Sequence, residues 1–212
     1  MSPRPKRVGR LVALEGIDGS GKSTLIRALA RALRRRGASV GLRREPSDAT
    51  LGSLAQRVSP SDAWTGAVYF TVDRYLARPS LERALRRFEV VLSDRSFYST
   101  LAYQGSALPP AERRRLEALG RAATRPPDRV ILLDLPPREA VRRLGGRATA
   151  RGPLERLRVL ERVAASYRAL ARDPRWIVLD ARRPVPELVR DAVARLSEPP
   201  ARARRGRGRQ RR

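Results

Sequence analysis

An apolar stretch, RLVALEG (10–16), runs through Gly16-Ile17-Asp18-Gly19-Ser20-Gly21-Lys22-Ser23 into an amphipathic one, STLIRALARALRRRG (23–37). The pattern is G-x-x-x-x-G-K-S, and it lies in the context that gives it a mechanism: strand, glycine-rich loop, helix. Glycines let successive backbone N–H groups turn inward around phosphate oxygens. A helix starting there adds the positive end of its dipole. In the helical stretch Leu25, Leu29, Ala32 and Leu33 share one face, and Gly37 is a stop signal. Gly16, Ile17, Asp18, Gly19, Ser20, Gly21, Lys22, Ser23 and Thr24 are therefore the candidate phosphate-binding residues, with the Ser23 hydroxyl placed for Mg²⁺.

Lys22 is one of two lysines among 47 basic residues; the rest are arginines. An ammonium is a slim point charge that can reach phosphate oxygens inside a closed loop, whereas a guanidinium is a wide planar fork. A lysine retained here in an arginine-dominated chain is what steric selection by such a loop would leave.

The composition excludes much other chemistry. With no Cys and no His among 212 residues, there is no disulfide framework, thiolate or imidazole metal site, or histidine base. The length suits one domain. No apolar run approaches the ~18 residues of a membrane span. The start, MSPRPKRVGR, leads directly into a strand and has no signal-peptide core, so a cytoplasmic protein without a membrane partner is expected. The net charge is +26. Residues 1–7 read as a basic extension and 8–197 as the folded domain. Residues 198–212 read as a disordered tail, with seven arginines and no acid after position 200. The remaining excess fits either solvated helix surface or a nucleic-acid role.

Further strands are expected at 38–45, 89–94, 128–135 and 175–180, and helices between them; 50–88 reads as mostly helical, interrupted near SPSD and RPS. Near-continuous apolar strands alternating with helices predict an α/β fold, a five-stranded parallel sheet flanked by helices. Gly16–Lys22, Glu45, Asp94–Arg95 and the Arg-rich segment 142–151 follow strands or lie in loops, so they gather outside the carboxyl edge of the sheet. Glu15, ending the first strand, reads as an organiser of the loop.

Four segments resemble one family of P-loop nucleoside monophosphate kinases, the thymidylate kinases: LVALEGIDGSGKST, RREPSDAT, AVYFTVDRYLA and VVLSDRSFYSTLAYQG, in the family's order and spacing. The resemblance covers about residues 8–195. It implies phosphoryl transfer from ATP to dTMP with Mg²⁺, giving dTDP, and a homodimer. It implies that Lys22 and the loop amides hold the donor phosphates and that Asp18 lies near the deoxyribose 3′-hydroxyl. Arg95 would bind the acceptor phosphate and reach toward the donor, with Asp94 near Mg²⁺ and Arg44 a further phosphate ligand. Phe70 would stack on thymine and Arg74 donate to a thymine carbonyl. Thr100 would sit at the base edge, with Gln104 also against substrate. Tyr103 would pack under the sugar, where a 2′-hydroxyl would intrude. The lid would supply the catalytic cations Arg147 and Arg151, with Arg142 and Arg143 on the preceding helix. The chain departs from the family in having Ser96 after Asp-Arg and SDAT after Arg-Glu-Pro.

The composition suits this chemistry, because phosphoryl transfer needs positioning and charge neutralisation more than acid–base groups. Phe70 and Tyr103 read equally as core aromatics, and Arg74 as a surface arginine. Alternatives for the whole chain are a related kinase for another base and a nucleic-acid-binding protein on the same scaffold. Aromatics are only 5% of residues, and no stacking platform interleaves with the arginines. Weak nonspecific nucleic-acid binding through the tail is compatible with either enzyme.

Overall fold

The computed structural model describes residues 8–145 and 153–198, the side chains of 153 and 154 excepted. The expected basic extension, the lid arginines Arg147 and Arg151, and the expected disordered tail beyond residue 198 lie outside the described residues.

The strands are β1 (Arg10–Glu15), β2 (Val40–Arg44), β3 (Val90–Asp94), β4 (Arg129–Asp134) and β5 (Trp176–Asp180). They form one parallel sheet in the order β2-β3-β1-β4-β5. The three central strands are almost wholly buried, hence their unbroken apolar runs; the edge strands leave Leu42 and Val178 exposed. The helices are α1 (Lys22–Arg35), α2 (Ala49–Val58), α3 (Ala63–Arg87), α4 (Phe97–Tyr103), α5 (Pro110–Ala123), α6 (Pro137–Leu144), α7 (Pro153–Leu170) and α8 (Val185–Ser197). Between α4 and α5 a short 3₁₀ turn spans Gly105–Ala107. None of them, among the described residues, is long and apolar enough to cross a membrane.

Chain order places the site. β1 leads by way of α1 to β2 on one side of the sheet, while its neighbour β3 leads to β4 on the other. The connections diverge and leave a crevice beyond the carboxyl ends of β1 and β3. Leu14 lies opposite Asp94 in that register, and Arg44 opposite Asp94 on the far side of β3.

One expectation fails. No break occurs near Arg78-Pro79-Ser80; α3 runs through Pro79. Pro79 is exposed, as is Tyr75 one turn earlier, whose carbonyl it deprives of a bond, and buried residues on both sides (Asp73 and Arg74, Leu81 and Leu85) fix the two halves. The break at SPSD is real: α2 ends at Val58, and the Asp62 carboxylate caps α3 by accepting from Thr65 N at 3.0 Å.

Some of the arginine excess is structural. Arg10 and Arg129, at the amino ends of β1 and β4, donate to Leu196 O (3.0 Å) and Arg195 O (2.9 Å). They satisfy terminal carbonyls of α8 and complement the negative end of its dipole.

Candidate active site

The loop between β1 and α1 depends on glycine at defined points. Gly16 has φ 145°, and a Cβ there would lie 2.7 Å from Leu133 O. Gly21 caps α1 with φ 92° and no side-chain hydrogen bond, leaving the first N–H groups of the helix directed out of its end. Lys22, buried, donates through Nζ to Gly16 O and Ile17 O, both at 2.9 Å. Burial, with Arg95 adding to it, pulls the Lys22 ammonium down to a pKa of about 8 against the opposing pull of Asp18, Asp94 and Glu15. Ser23 Oγ donates to Asp94 Oδ2 at 2.9 Å, so the two residues expected near metal are brought together. A hydroxyl and a carboxylate beside a phosphate loop are hard oxygen donors of the kind a Mg²⁺ ion takes while keeping water and phosphate ligands. Among the described residues no larger acidic cluster forms a metal cage.

Arg95 is the only described non-glycine residue with positive φ, 78°. Such a conformation is held only where its surroundings over-determine it, and it is common at functional sites. Its backbone is held from both sides: Arg95 N donates to Leu14 O (3.0 Å) and Ser93 Oγ to Arg95 O (2.6 Å). The guanidinium pairs through Nη2 with Asp18, donates through Nη1 to Ser99 Oγ at 3.1 Å, and lies over the Tyr103 ring. Tyr103 in turn accepts from Asp18 N at 2.9 Å. Burial alone would raise the Asp18 pKa, but Arg95 and Lys22 outweigh it and hold the carboxyl below its usual range.

Beside this cluster is a pocket of about 470 Å³ lined by Phe70, Arg74, Thr100, Tyr103, Gln104 and Arg44 among others. Arg74 is buried rather than a surface arginine. Its Nε donates to Glu45 Oε2 (2.6 Å), and its Nη2 to Thr100 Oγ1 (2.8 Å) and Ser96 O (3.3 Å). Arg74 Nη1 is buried with no hydrogen-bond partner among the described residues. A guanidinium so fixed, with one unmatched donor, calls for an acceptor. Phe70 is half-buried and outside both apolar core clusters, so the reading of it as a core aromatic does not hold. Tyr103 serves both readings: it is packed against the core and lines the pocket. Gln104 Nε2 donates to Ser59 Oγ at 3.2 Å. Arg44 is exposed at the end of β2.

The pocket meets a second cleft, about 950 Å³, that runs along the phosphate loop; Asp18, Arg44, Arg95 and Tyr103 line both. Arg143 and Arg156 also line the second cleft. Arg142 and Arg143 lie on α6, as expected. Arg156, on α7, was not singled out in the sequence, where it is one arginine among many on an amphipathic helix.

Sequence reasoning also missed the partners of three supports. The buried Asp73 carboxylate accepts from Ser47 N (3.0 Å), Ser47 Oγ (2.8 Å) and Asp48 N (2.7 Å). Asp48 then caps α2 by accepting from Leu51 N at 2.8 Å. The SDAT departure thus carries its own turn chemistry. Ser96 caps α4 by accepting from Tyr98 N and donates to Glu15 Oε1 at 2.7 Å. Glu15, fully buried, also accepts from Ser99 Oγ (2.6 Å) and Tyr167 OH (2.9 Å), so its side chain serves α4 and α7 rather than the loop glycines. Burial raises its pKa, opposed by these hydroxyls and Arg95.

Comparison with known proteins agrees with this geometry. The family model described as thymidylate kinase matches residues 14–193. A thymidylate kinase of Leifsonia xyli is 39% identical, with 92% of this chain and 98% of the relative aligned. Probable thymidylate kinases of Pyrobaculum calidifontis (36%; 92% and 99% covered) and Thermococcus gammatolerans (34%; 90% and 97%) are similar over comparable lengths. Matched in sequence from the end of β1 into α8, with a phosphate loop and a second pocket joined at Arg95, the chain belongs to the thymidylate kinase family.

Proposed function

We propose that the chain transfers the terminal phosphoryl group of ATP to dTMP, giving dTDP. The observation that carries this is the junction of the two clefts at Arg95, with an unmatched guanidinium donor, Arg74 Nη1, in the smaller one. The donor phosphates lie on the amides of residues 16–24 and on Lys22, whose ammonium exchanges the loop carbonyls for phosphate oxygens. Ser23 and Asp94 would hold Mg²⁺, which when bound neutralises phosphate charge and orients the donor.

The acceptor occupies the smaller pocket. Arg74 Nη1 donates to a thymine carbonyl, Phe70 stacks on the ring, and Thr100 and Gln104 line its edge. Tyr103 lies beneath the sugar and excludes a 2′-hydroxyl, while Asp18 faces the 3′-hydroxyl. Arg95 and Arg44 take the acceptor phosphate, and Arg95 stabilises the charge that builds during transfer. Arg147 and Arg151 would supply the remaining catalytic cations. The enzyme works in the cytoplasm and as a homodimer. Support for the dimer is the exposed apolar face of α3, with Val72, Tyr75 and Leu76 each at least 40% exposed.

The test is a coupled assay with ATP, Mg²⁺ and a panel of dTMP, dUMP, dCMP, dGMP and the ribo-analogue of dTMP. The highest kcat/KM is expected for dTMP. A faster turnover of a different base would assign the pocket to another acceptor.

A further inference from the structure

Glu15 is a fully buried carboxylate in contact with three hydroxyls and, among the described residues, with no arginine or lysine in hydrogen-bond contact. Keeping a carboxyl in such a place is costly unless every lone pair is matched. One of its partners leads to the reacting groups. Ser99 Oγ has a single proton and three polar neighbours: Glu15 Oε2 at 2.6 Å, Arg95 Nη1 at 3.1 Å and Tyr167 OH at 3.1 Å. A guanidinium can only donate and a carboxylate only accept. The Ser99 proton therefore goes to Glu15, which turns the lone pairs of Ser99 toward Arg95. Tyr167 donates its own proton to the same Glu15 oxygen at 2.9 Å, so it does not take the Ser99 lone pair from Arg95.

The same carboxylate acts on the base pocket. Its other oxygen holds Ser96, whose carbonyl accepts from Arg74 Nη2 at 3.3 Å. We infer that Glu15 is a positioning residue: by accepting from Ser99 it fixes the hydroxyl that orients the Arg95 guanidinium, and with it the grip on the acceptor phosphate. The inference rests on the proposed role of Arg95 in binding that phosphate.

The experiment compares wild type with Ser99→Ala, Glu15→Met, the two combined, and Glu15→Gln. The first readout is the preference for dTMP over thymidine, measured as a ratio of dissociation constants, because the two ligands differ only in the phosphate. Ser99→Ala and Glu15→Met should each reduce that preference about tenfold or more, the worth of one hydrogen bond to a charged group. The combined variant should lose no more than the larger single loss, because both act through one bond. Glu15→Gln can face its amide nitrogen to Ser96 and keep its oxygen toward Ser99, so it should retain more of the preference than Glu15→Met. An unchanged ratio, additive losses or a Gln variant no better than Met would overturn the inference. If Glu15→Met does not fold, Ser99→Ala and Glu15→Gln still decide it.

The second readout needs no substrate. The Arg95 guanidinium ¹⁵N resonances, assigned by their loss in Arg95→Lys, should report slow rotation in wild type and faster averaging in Ser99→Ala. Unchanged rotation would overturn the inference. If that rotation responds as expected, and Glu15→Met speeds it as Ser99→Ala does, while wild type does not prefer dTMP to thymidine, the functional reading fails and the positioning of Arg95 by Glu15 stands.

Discussion

The guanidinium carbon of Arg95 lies 5.3 Å from the centroid of the Tyr103 ring, and both residues also bind Asp18. Arg95 takes the Asp18 carboxylate and Tyr103 its backbone N–H, so cation, ring and acid form a closed triangle. The triangle couples two jobs, holding the phosphate-binding cation and shaping the floor of the sugar site.

Tyr103→Phe and Tyr103→Ala separate those jobs. The Phe ring keeps the steric floor and loses only the hydroxyl that accepts from Asp18 N. It should retain selection for deoxyribose, whereas Ala should relax it and lower turnover as well, by releasing Arg95. The measurement is kcat/KM for dTMP against its ribo-analogue in all three proteins. A ratio unmoved by Ala would make Tyr103 purely a packing residue.

Arg74→Ala should weaken discrimination between dTMP and dCMP, because the carbonyl proposed to meet Nη1 becomes an amine donor in cytosine. It should also destabilise the protein by about 3 kcal/mol, since it strips the buried Glu45 carboxylate of its close partner and leaves Arg43 at 3.5 Å. Adding Glu45→Gln should recover most of the stability and none of the discrimination. Denaturant unfolding and the paired kinetics check the two halves. Equal losses for both bases would argue against contact with the base edge.

Lys22 gives a pH dependence with a definite sign. Burial lowers its pKa from an ordinary 10.5 to about 8, and only the charged form can hold phosphate. Above about pH 8, kcat/KM for ATP, which reports the free enzyme, should fall. The matching fall in kcat should come at higher pH, because bound phosphates favour the ammonium. Between about 8 and 10.5 the unfolded chain binds the proton that the folded one has lost, so Lys22 should make stability rise with pH across that window. Lys22→Arg should lose at least ~10²-fold in kcat at any pH, because the fork does not fit the loop. Near-full turnover by that variant would overturn the steric account.

Much of the site was legible because its residues follow strands. The phosphate loop, Asp94-Arg95 and Glu45 needed only the strand ends to be found, and apolar runs mark those; Arg44 came only with the family resemblance. Glu15, Ser99 and Tyr167 were not assembled, because they lie 84 and 152 residues apart from Glu15 in the chain and meet only through the packing of α4 and α7 on β1. Tyr167 fitted the apolar period of α7, which hid its hydroxyl. Pro79 misled for the opposite reason: a local breaker was overridden by burial on either side of it.

Deleting residues 201–212 separates an enzyme from a nucleic-acid-binding protein. The segment carries seven arginines and no acid. It follows α8, whose last carbonyls are held by Arg10 and Arg129 at the amino ends of β1 and β4. The phosphate loop leaves the opposite, carboxyl end of β1, so α8 ends at the edge of the sheet away from the clefts. Arginines brought to the clefts from that end would also meet a site already rich in arginine. Transfer should therefore be insensitive to the deletion, with kcat within about twofold of wild type. Nonspecific binding to nucleic acid should weaken, because each lost phosphate contact lowers the log–log salt slope by roughly 0.7–0.9. Both properties are measured on one truncated protein, turnover by the coupled assay and binding by titration of a labelled oligonucleotide at several salt concentrations. Lost turnover with unchanged oligonucleotide binding would mean that these arginines reach the phosphates of the substrates after all.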